Sequence, residues 1–218
     1  MKKQTRLCTA LLAVTFLLSG CESVYYSTME KVGIHKRDIL IDRVEETKES
    51  QEESQEEFQS ALERVTTLID FQGGDLQETY NALNSDYQSS LSAANEVSAN
   101  IDKVEDVATA LFEEWAEELT QYKSASLKRQ SSQKLTNTQR QFDTMLRSMR
   151  KSESKMEPVL SSLNDNVLYL KHNLNAQAMS EIKGEFTNLK RDIQQLVDDM
   201  NTSIADSNKF IEQMNSGN

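Results

Sequence analysis

Two thiols, two imidazoles and one tight group of carboxylates are the side chains of this sequence that could do chemistry. Thiolates and imidazoles hold zinc or act as nucleophiles and bases. Carboxylates four residues apart share a helix face. The spacings support little of this. His35 and His172 stand in neither His-x-x-x-His nor Glu-x-x-His spacing, which four-helix di-metal sites need to aim ligands inward. A capping or surface role suits both, and no metal or other cofactor is expected. Glu113, Glu114, Glu117 and Glu118 flank Trp115. Acid–base work would need a cleft that shifts one of their pKa values, whereas a solvated acidic face asks for nothing further. The sequence shows no Gly-rich phosphate loop, no Ser/His/Asp constellation and no Cys nucleophile, so no enzyme is expected.

Cys21 is explained by what precedes it. Lys2, Lys3 and Arg6 form a basic start, and Leu7–Leu18 is a largely apolar run of 12 residues. A bilayer span takes about 20 apolar residues, so this run suits a signal-peptide core. Leu18-Ser19-Gly20-Cys21 resembles the lipobox of bacterial lipoproteins. The resemblance implies a diacylglyceryl group on the Cys21 thiol, cleavage before it and acylation of the new amine. Two or three acyl chains anchor stably where one binds marginally. Glu22 after the cysteine, rather than Asp, implies by the same analogy an outer-membrane lipoprotein facing the periplasm. Cys8 would leave with residues 1–20, so the mature chain would hold no thiol pair for a disulfide or zinc. Loss of Lys2, Lys3 and Arg6 would take the formal charge from −11 to −14. So acidic a body argues against nucleic acid or anionic lipid as its main partner.

The remainder must position whatever the anchor holds. Gly (6) and Pro (1) are too scarce for the frequent turns of sheet folds, and aromatics are only 6%. With Tyr80 at heptad position a, the a positions are Tyr80, Tyr87, Ala94, Ile101, Ala108, Trp115 and Tyr122. The d positions are Leu76, Leu83, Ser90, Val97, Val104, Leu111 and Glu118. That register predicts a coiled-coil-type helix over 75–123. Gly73-Gly74 ends the preceding helix, and Asp75 with Glu78 forms a capping box. Upstream, Leu40, Val44, Thr47, Gln51, Ser54, Phe58, Ala61, Val65 and Leu68 keep a 4–3 alternation, predicting a helix over 28–71 with a polar centre at Thr47, Gln51 and Ser54. Ser27 and Glu30 would cap it, while Gly33 would delay its firm start to near Asp38.

Downstream, Ser124 or Ser126 is the next cap, and Leu135, Phe142, Met145, Met149, Met156, Val159, Leu163, Val167 and Leu170 continue a helical seam. Pro158 predicts a kink there. The last seam runs Ile182, Phe186, Leu189, Ile193, Leu196, Met200, Ile204, Ile211 and Met214. One helix over 127–214 would be about 130 Å long and half of it would lack a partner. A reversal at "HNLNAQ", with Asn173 ending one helix and Asn175 capping the next, gives helices 127–172 and 176–215. The expected fold is all-α: an elongated antiparallel bundle of four long helices over 28–218, behind a tether at 21–27. Its rival is three helices with one straight long member.

The segments "YYSTMEKVGIHKRDILIDRVEET", "DFQGGDLQETYNALN", "VEDVATALFEEW", "MEPVL" and "YLKHNLNAQA" resemble those of the DUF2959 family from about Tyr25 onward. The resemblance implies a helical envelope protein of proteobacteria and brings no catalytic residues. Lys31, Lys36, Arg37 and Arg43, with His35, form a basic cluster 10–22 residues from the anchor, after Tyr25 and Tyr26. They are the candidate contacts to lipid headgroups, against the alternative of ordinary solvated helix surface. The expected function is a lipid-anchored structural or protein-interaction module that pairs with another envelope protein or with itself. The polar layers at Thr47, Gln51 and Ser54 would then let the bundle open. The alternative is a lipid- or small-ligand-binding bundle, with Tyr80, Tyr87, Trp115 and Tyr122 facing a cavity.

Overall fold

The computed structural model describes residues 35–70 and 75–216. The leader, Cys21, Tyr25, Tyr26, the Ser27–Glu30 box, Lys31, Gly33 and Gly73–Gly74 lie outside the described residues. Four helices follow in order: α1 Lys36–Ile69, α2 Leu76–Glu118, α3 Ala125–His172 and α4 Ala176–Ser216. At 1.5 Å per residue they measure about 50 to 70 Å. Each packs on its chain neighbours, and α4 closes the ring against α1. Cross-helix partners run in opposite directions, so neighbours are antiparallel. On α1 and α2, Lys36 meets Glu114, Glu46 meets Lys103 and Arg64 meets Asp86.

The starts of three helices are written in the sequence. Asp75 Oδ1 accepts from the backbone N–H of Gln77 and of Glu78, at 2.8 and 3.1 Å. Ser124 Oγ accepts from Leu127 N–H, and Asn175 Oδ1 from Ala178 N–H. Asn173 closes α3, its N–H donating to Leu170 O and its amide to Tyr169 O. α1 differs from the helix expected over 28–71. His35 is extended (φ −88, ψ 149), and its carbonyl accepts from Asp38 and Ile39. Helix therefore begins at Lys36. α3 runs on through Pro158, which lies on its exposed face. The carbonyl four residues back belongs to exposed Ser154, so water can satisfy what the proline cannot.

The core is a continuous heptad seam. α1 buries the nine residues of its 4–3 alternation, from Leu40 to Leu68. α3 buries Phe142, Met145, Met149, Ser152 and Met156 in the same rhythm. The seam of α4 departs from its isoleucines. Ile204 and Ile211 are half-buried, while Ser203, Ser207 and Phe210 are buried. The reason is register: Ile193, Leu196, Met200, Ser203, Ser207, Phe210 and Met214 alternate by three and four, and Ile204 and Ile211 fall one residue off that line. Phe210 is used at once, since Phe142 stacks edge-on to it and to Phe112, with centroids 5.9 and 5.5 Å apart.

One end of the bundle is uneven. α1 begins level with Glu114, and α4 ends at Ser216 beside it, Arg37 donating to Met214 O. α2 and α3 continue past that level. α2 runs on about one turn, to Glu118, while α3, whose Phe142 meets Phe112 and Phe210, reaches back to Ala125, roughly 20 Å past that level at 1.5 Å per residue. Together they form the overhang. The heptad register carried α2 to residue 123 with Tyr122 in the core. The helix instead stops at Glu118, and Tyr122 is 42% exposed. With α1 and α4 already ended, the described residues offer Tyr122 no third surface to pack on. Among the described residues, no helix is long and apolar enough to cross a membrane.

Candidate functional site

Midway along the stem the apolar seam gives way to a polar layer. Gln51 is fully buried, as are Thr47, Ser54, Ser152, Ser203 and Ser207. Gln51 Nε2 donates to Ser152 Oγ on α3 at 3.3 Å, and Ser203 Oγ on α4 donates to Gln51 Oε1 at 3.0 Å. One α1 side chain thus ties three helices together. Ser152 passes its own proton to Met149 O, and Ser207 to Ser203 O. Thr47 Oγ1 donates to Arg43 O and Ser50 Oγ to Thr47 O. The hydroxyls of Ser54 and Ser90 have no hydrogen-bond partner. The stretch expected to open is therefore closed, its amide satisfied at both ends. Serines opposite leave the volume a buried glutamine needs. A buried amide paired on both sides contributes little net stability, yet it is costly to leave unpaired, so it resists any slip of register.

Charged pairs rim that layer. Arg150 on α3 reaches Asp102 and Glu105 on α2, both at 2.7 Å, and Glu153 at 3.0 Å. Partial burial works against its charge, but the hydrogen bonds to Glu105, Asp102 and Glu153 outweigh it and raise its pKa further. On the other side, Asp199 faces Lys151 and Lys155. Burial pushes its carboxyl up, and the two ammonium donors more than reverse this, holding it below the usual carboxylate range.

The basic residues singled out near the chain start have intramolecular partners. Lys36 Nζ lies 3.0 Å from Glu114, Arg37 donates to Met214 O, and Arg43 pairs with Glu46. They knit the start of α1 to α2 and α4. Lys31 and the lipidation candidate Cys21 are outside the described residues. Of the glutamates around Trp115, Glu114 is occupied by Lys36, and Glu113, Glu117 and Glu118 are exposed. Trp115 is half-buried, its Nε1 donating to Ser131 Oγ at 2.8 Å. Among the described residues, no three His, Cys, Asp or Glu side chains stand close enough to hold a metal. Tyr80, Tyr87, Trp115 and Tyr122 do not share a cavity. Tyr87 alone of the four lines the groove of about 580 Å³ between α2 and α3, with Leu91, Met156 and Leu160.

The overhang carries a feature that the heptad reading passed over. Between Glu118 and Asp143 there are five cations, Lys123, Lys128, Arg129, Lys134 and Arg140, and no acid. All five are exposed. The signal was present as a run of sequence without Asp or Glu. It was hidden because the apolar pattern lapses there.

A family model described as "Protein of unknown function (DUF2959)" matches residues 25–214. The chain belongs to the DUF2959 family. The polar layer and the basic overhang both lie inside the region the family model covers. Comparison with curated proteins and with solved structures gives no match.

Proposed function

We propose that this DUF2959 protein is a lipoprotein of the outer membrane, anchored through Cys21, whose bundle acts in the periplasm as a structural or protein-interaction rod. The observation that carries the reading is where the chain enters. α1 starts at the overhang end, so an anchor before His35 holds the rod by one end and not by its flank. The end of α1 at Ile69, the start of α2 at Leu76 and the turn at 173–175 then stand about 65 Å away, the length of α2 at 1.5 Å per residue. The stem is sealed by its own heptads and the Gln51 layer. Its long charged flanks are what remains for another envelope protein or a second copy to meet.

Radiolabelled palmitate and globomycin test the anchor. Incorporation that Cys21→Ser abolishes, with unprocessed precursor accumulating under globomycin, supports it. Normal cleavage of the Cys21→Ser precursor would sink it. In-cell crosslinking from the α2–α3 flank then reads the partner. A second reading, a bound lipid or small ligand, is favoured by the groove at Tyr87, Leu91, Met156 and Leu160. Native mass spectrometry distinguishes them, because a copurified lipid lost on Leu160→Arg supports the ligand reading alone.

A further inference from the structure

We infer that the flank of α3 from Ala125 to Arg140 is a docking face for anionic lipid headgroups. The proposal rests on the anchored-rod reading for how a membrane comes within reach. A groove of about 530 Å³ runs along this flank. Its lining includes Lys128, Arg129 and Arg140, the hydroxyls of Ser132 and Thr136, and the amide of Asn137. No carboxylate lines it, and the four glutamates of α2 contribute nothing to it. Cations with hydroxyl and amide donors are the chemistry that receives phosphate esters.

Three further observations point to a lipid surface. Residues 121–130 are all exposed, and no ion pair among the described residues occupies Lys123, Lys128, Arg129, Lys134 or Arg140. Among the described residues, two of the three large hydrophobic side chains that stand exposed are at this tip, Tyr122 at 42% and Leu127 at 54%. A ring and an aliphatic chain among cations suit the headgroup zone, where one side of the contact is wet and the other apolar. The chain also enters at this end. Thirteen residues lie between Cys21 and His35, and those fourteen steps of chain reach at most about 45–50 Å when extended. The overhang projects roughly 20 Å, well inside that reach. The anchor would therefore concentrate the tip at the surface, and the groove would be met with the rod tilted, α3 side down.

The net charge of the body opposes this contact elsewhere. The acid-free run is where attraction survives, because screening limits each charge's influence to about 8 Å at physiological salt. The acidic flanks of the stem keep the rest of the rod off the bilayer.

The test uses the full processed chain with vesicles of phosphatidylcholine, with and without phosphatidylglycerol. A polarity-sensitive dye is placed at the tip through Ser126→Cys, or at the far end through Lys171→Cys. The proposal expects a tip response on anionic vesicles only, reversed by high salt and absent from the far end. Changing Lys128, Arg129 and Arg140 together to Gln should weaken the tip's partition roughly fivefold per cation, about a hundredfold in all. These side chains are exposed, and a thermal melt checks that the variant folds; the salt titration of the unmodified chain reads the same contact without a substitution. Equal tip responses on both vesicle types, a response indifferent to salt and to the Gln changes, or a far-end response as large as the tip's would overturn the proposal. So would an equal response to inorganic phosphate at matched concentration, which would mark a soluble-anion site. Partition into neutral vesicles reads the anchor separately. If it fails, the anchored reading fails, while binding of the same chain to anionic vesicles still judges the docking face.

Discussion

The stem and the overhang share the helices α2 and α3, yet those helices do different things in each. In the stem, α3 turns Phe142, Met145, Met149 and Met156 inward and buries them almost completely. In the overhang the same helix carries Lys128, Arg129, Ser132 and Lys134, all exposed. What changes is the number of neighbours. Four helices enclose an interior, whereas two leave most of each surface wet, and the composition follows. A helix is thus apolar only as far as its partners reach.

That contrast predicts where substitutions hurt. Phe186 and Phe58 are fully buried in the stem. Either changed to Ala should cost about 3–5 kcal/mol, read by denaturant melts. Leu127→Ala at the tip should change stability by no more than about 0.5 kcal/mol. A loss at Leu127 as large as at Phe186 would mean that the overhang is packed in the folded protein, and would erase the distinction. The polar layer comes next. Gln51→Ala should cost about 1–3 kcal/mol, since it strands the Ser203 hydroxyl. Gln51→Leu together with Ser152→Ala and Ser203→Ala should recover that loss or exceed the starting stability, because all partners leave at once. A triple variant as unstable as Gln51→Ala would show that the layer stabilises outright and does not merely set register.

Smaller effects belong to the charged rim. The Asp199 carboxyl is depressed in the folded state, so its stabilisation is complete above the ordinary Asp value of about 4 and fades as pH falls through the folded value. Asp199→Asn should lower the melting temperature by a constant offset at neutral and alkaline pH and flatten the acid limb, so that the two chains converge at low pH. An acid limb that is the same in both chains would remove Asp199 from the account. Arg150→Met should cost about 1 kcal/mol or less, given its half-exposed setting, and the difference should shrink further at high salt. A large, salt-independent loss would instead show that Arg150 acts through packing of its stem.

Much of the architecture was legible in local chemistry. Asp75, Ser124 and Asn175 stop and start helices because short polar side chains satisfy backbone N–H groups that a first turn leaves bare. The heptads of α1, and of α2 from Ser90 to Leu111, fall on buried residues, while Leu76, Tyr80, Tyr87 and Trp115 are half-buried and Glu118 is exposed. The same logic misled in two places for one reason. Ile204 and Ile211 were expected inside because they are apolar, and Tyr122 because it falls at position a. Neither argument knows what stands opposite. Ser203 is inside because it bonds Gln51, Ser207 follows it in the same register, and Tyr122 is outside because α1 and α4 have ended. The basic groove escaped for a related reason: its residues look like ordinary surface until the overhang sets them apart from the acidic body.

By itself, then, the sequence determined the helices, their caps and the heptad seams, since these depend on contacts within a few turns of one chain. The tertiary structure decided which polar residues could be buried, which cations were taken by carboxylates and how far each helix outran its neighbours. Those outcomes depend on residues on different helices, far apart in the chain, as Gln51 is from Ser152 and Ser203 and Lys36 from Glu114. Only packing four helices into one register brings them into reach.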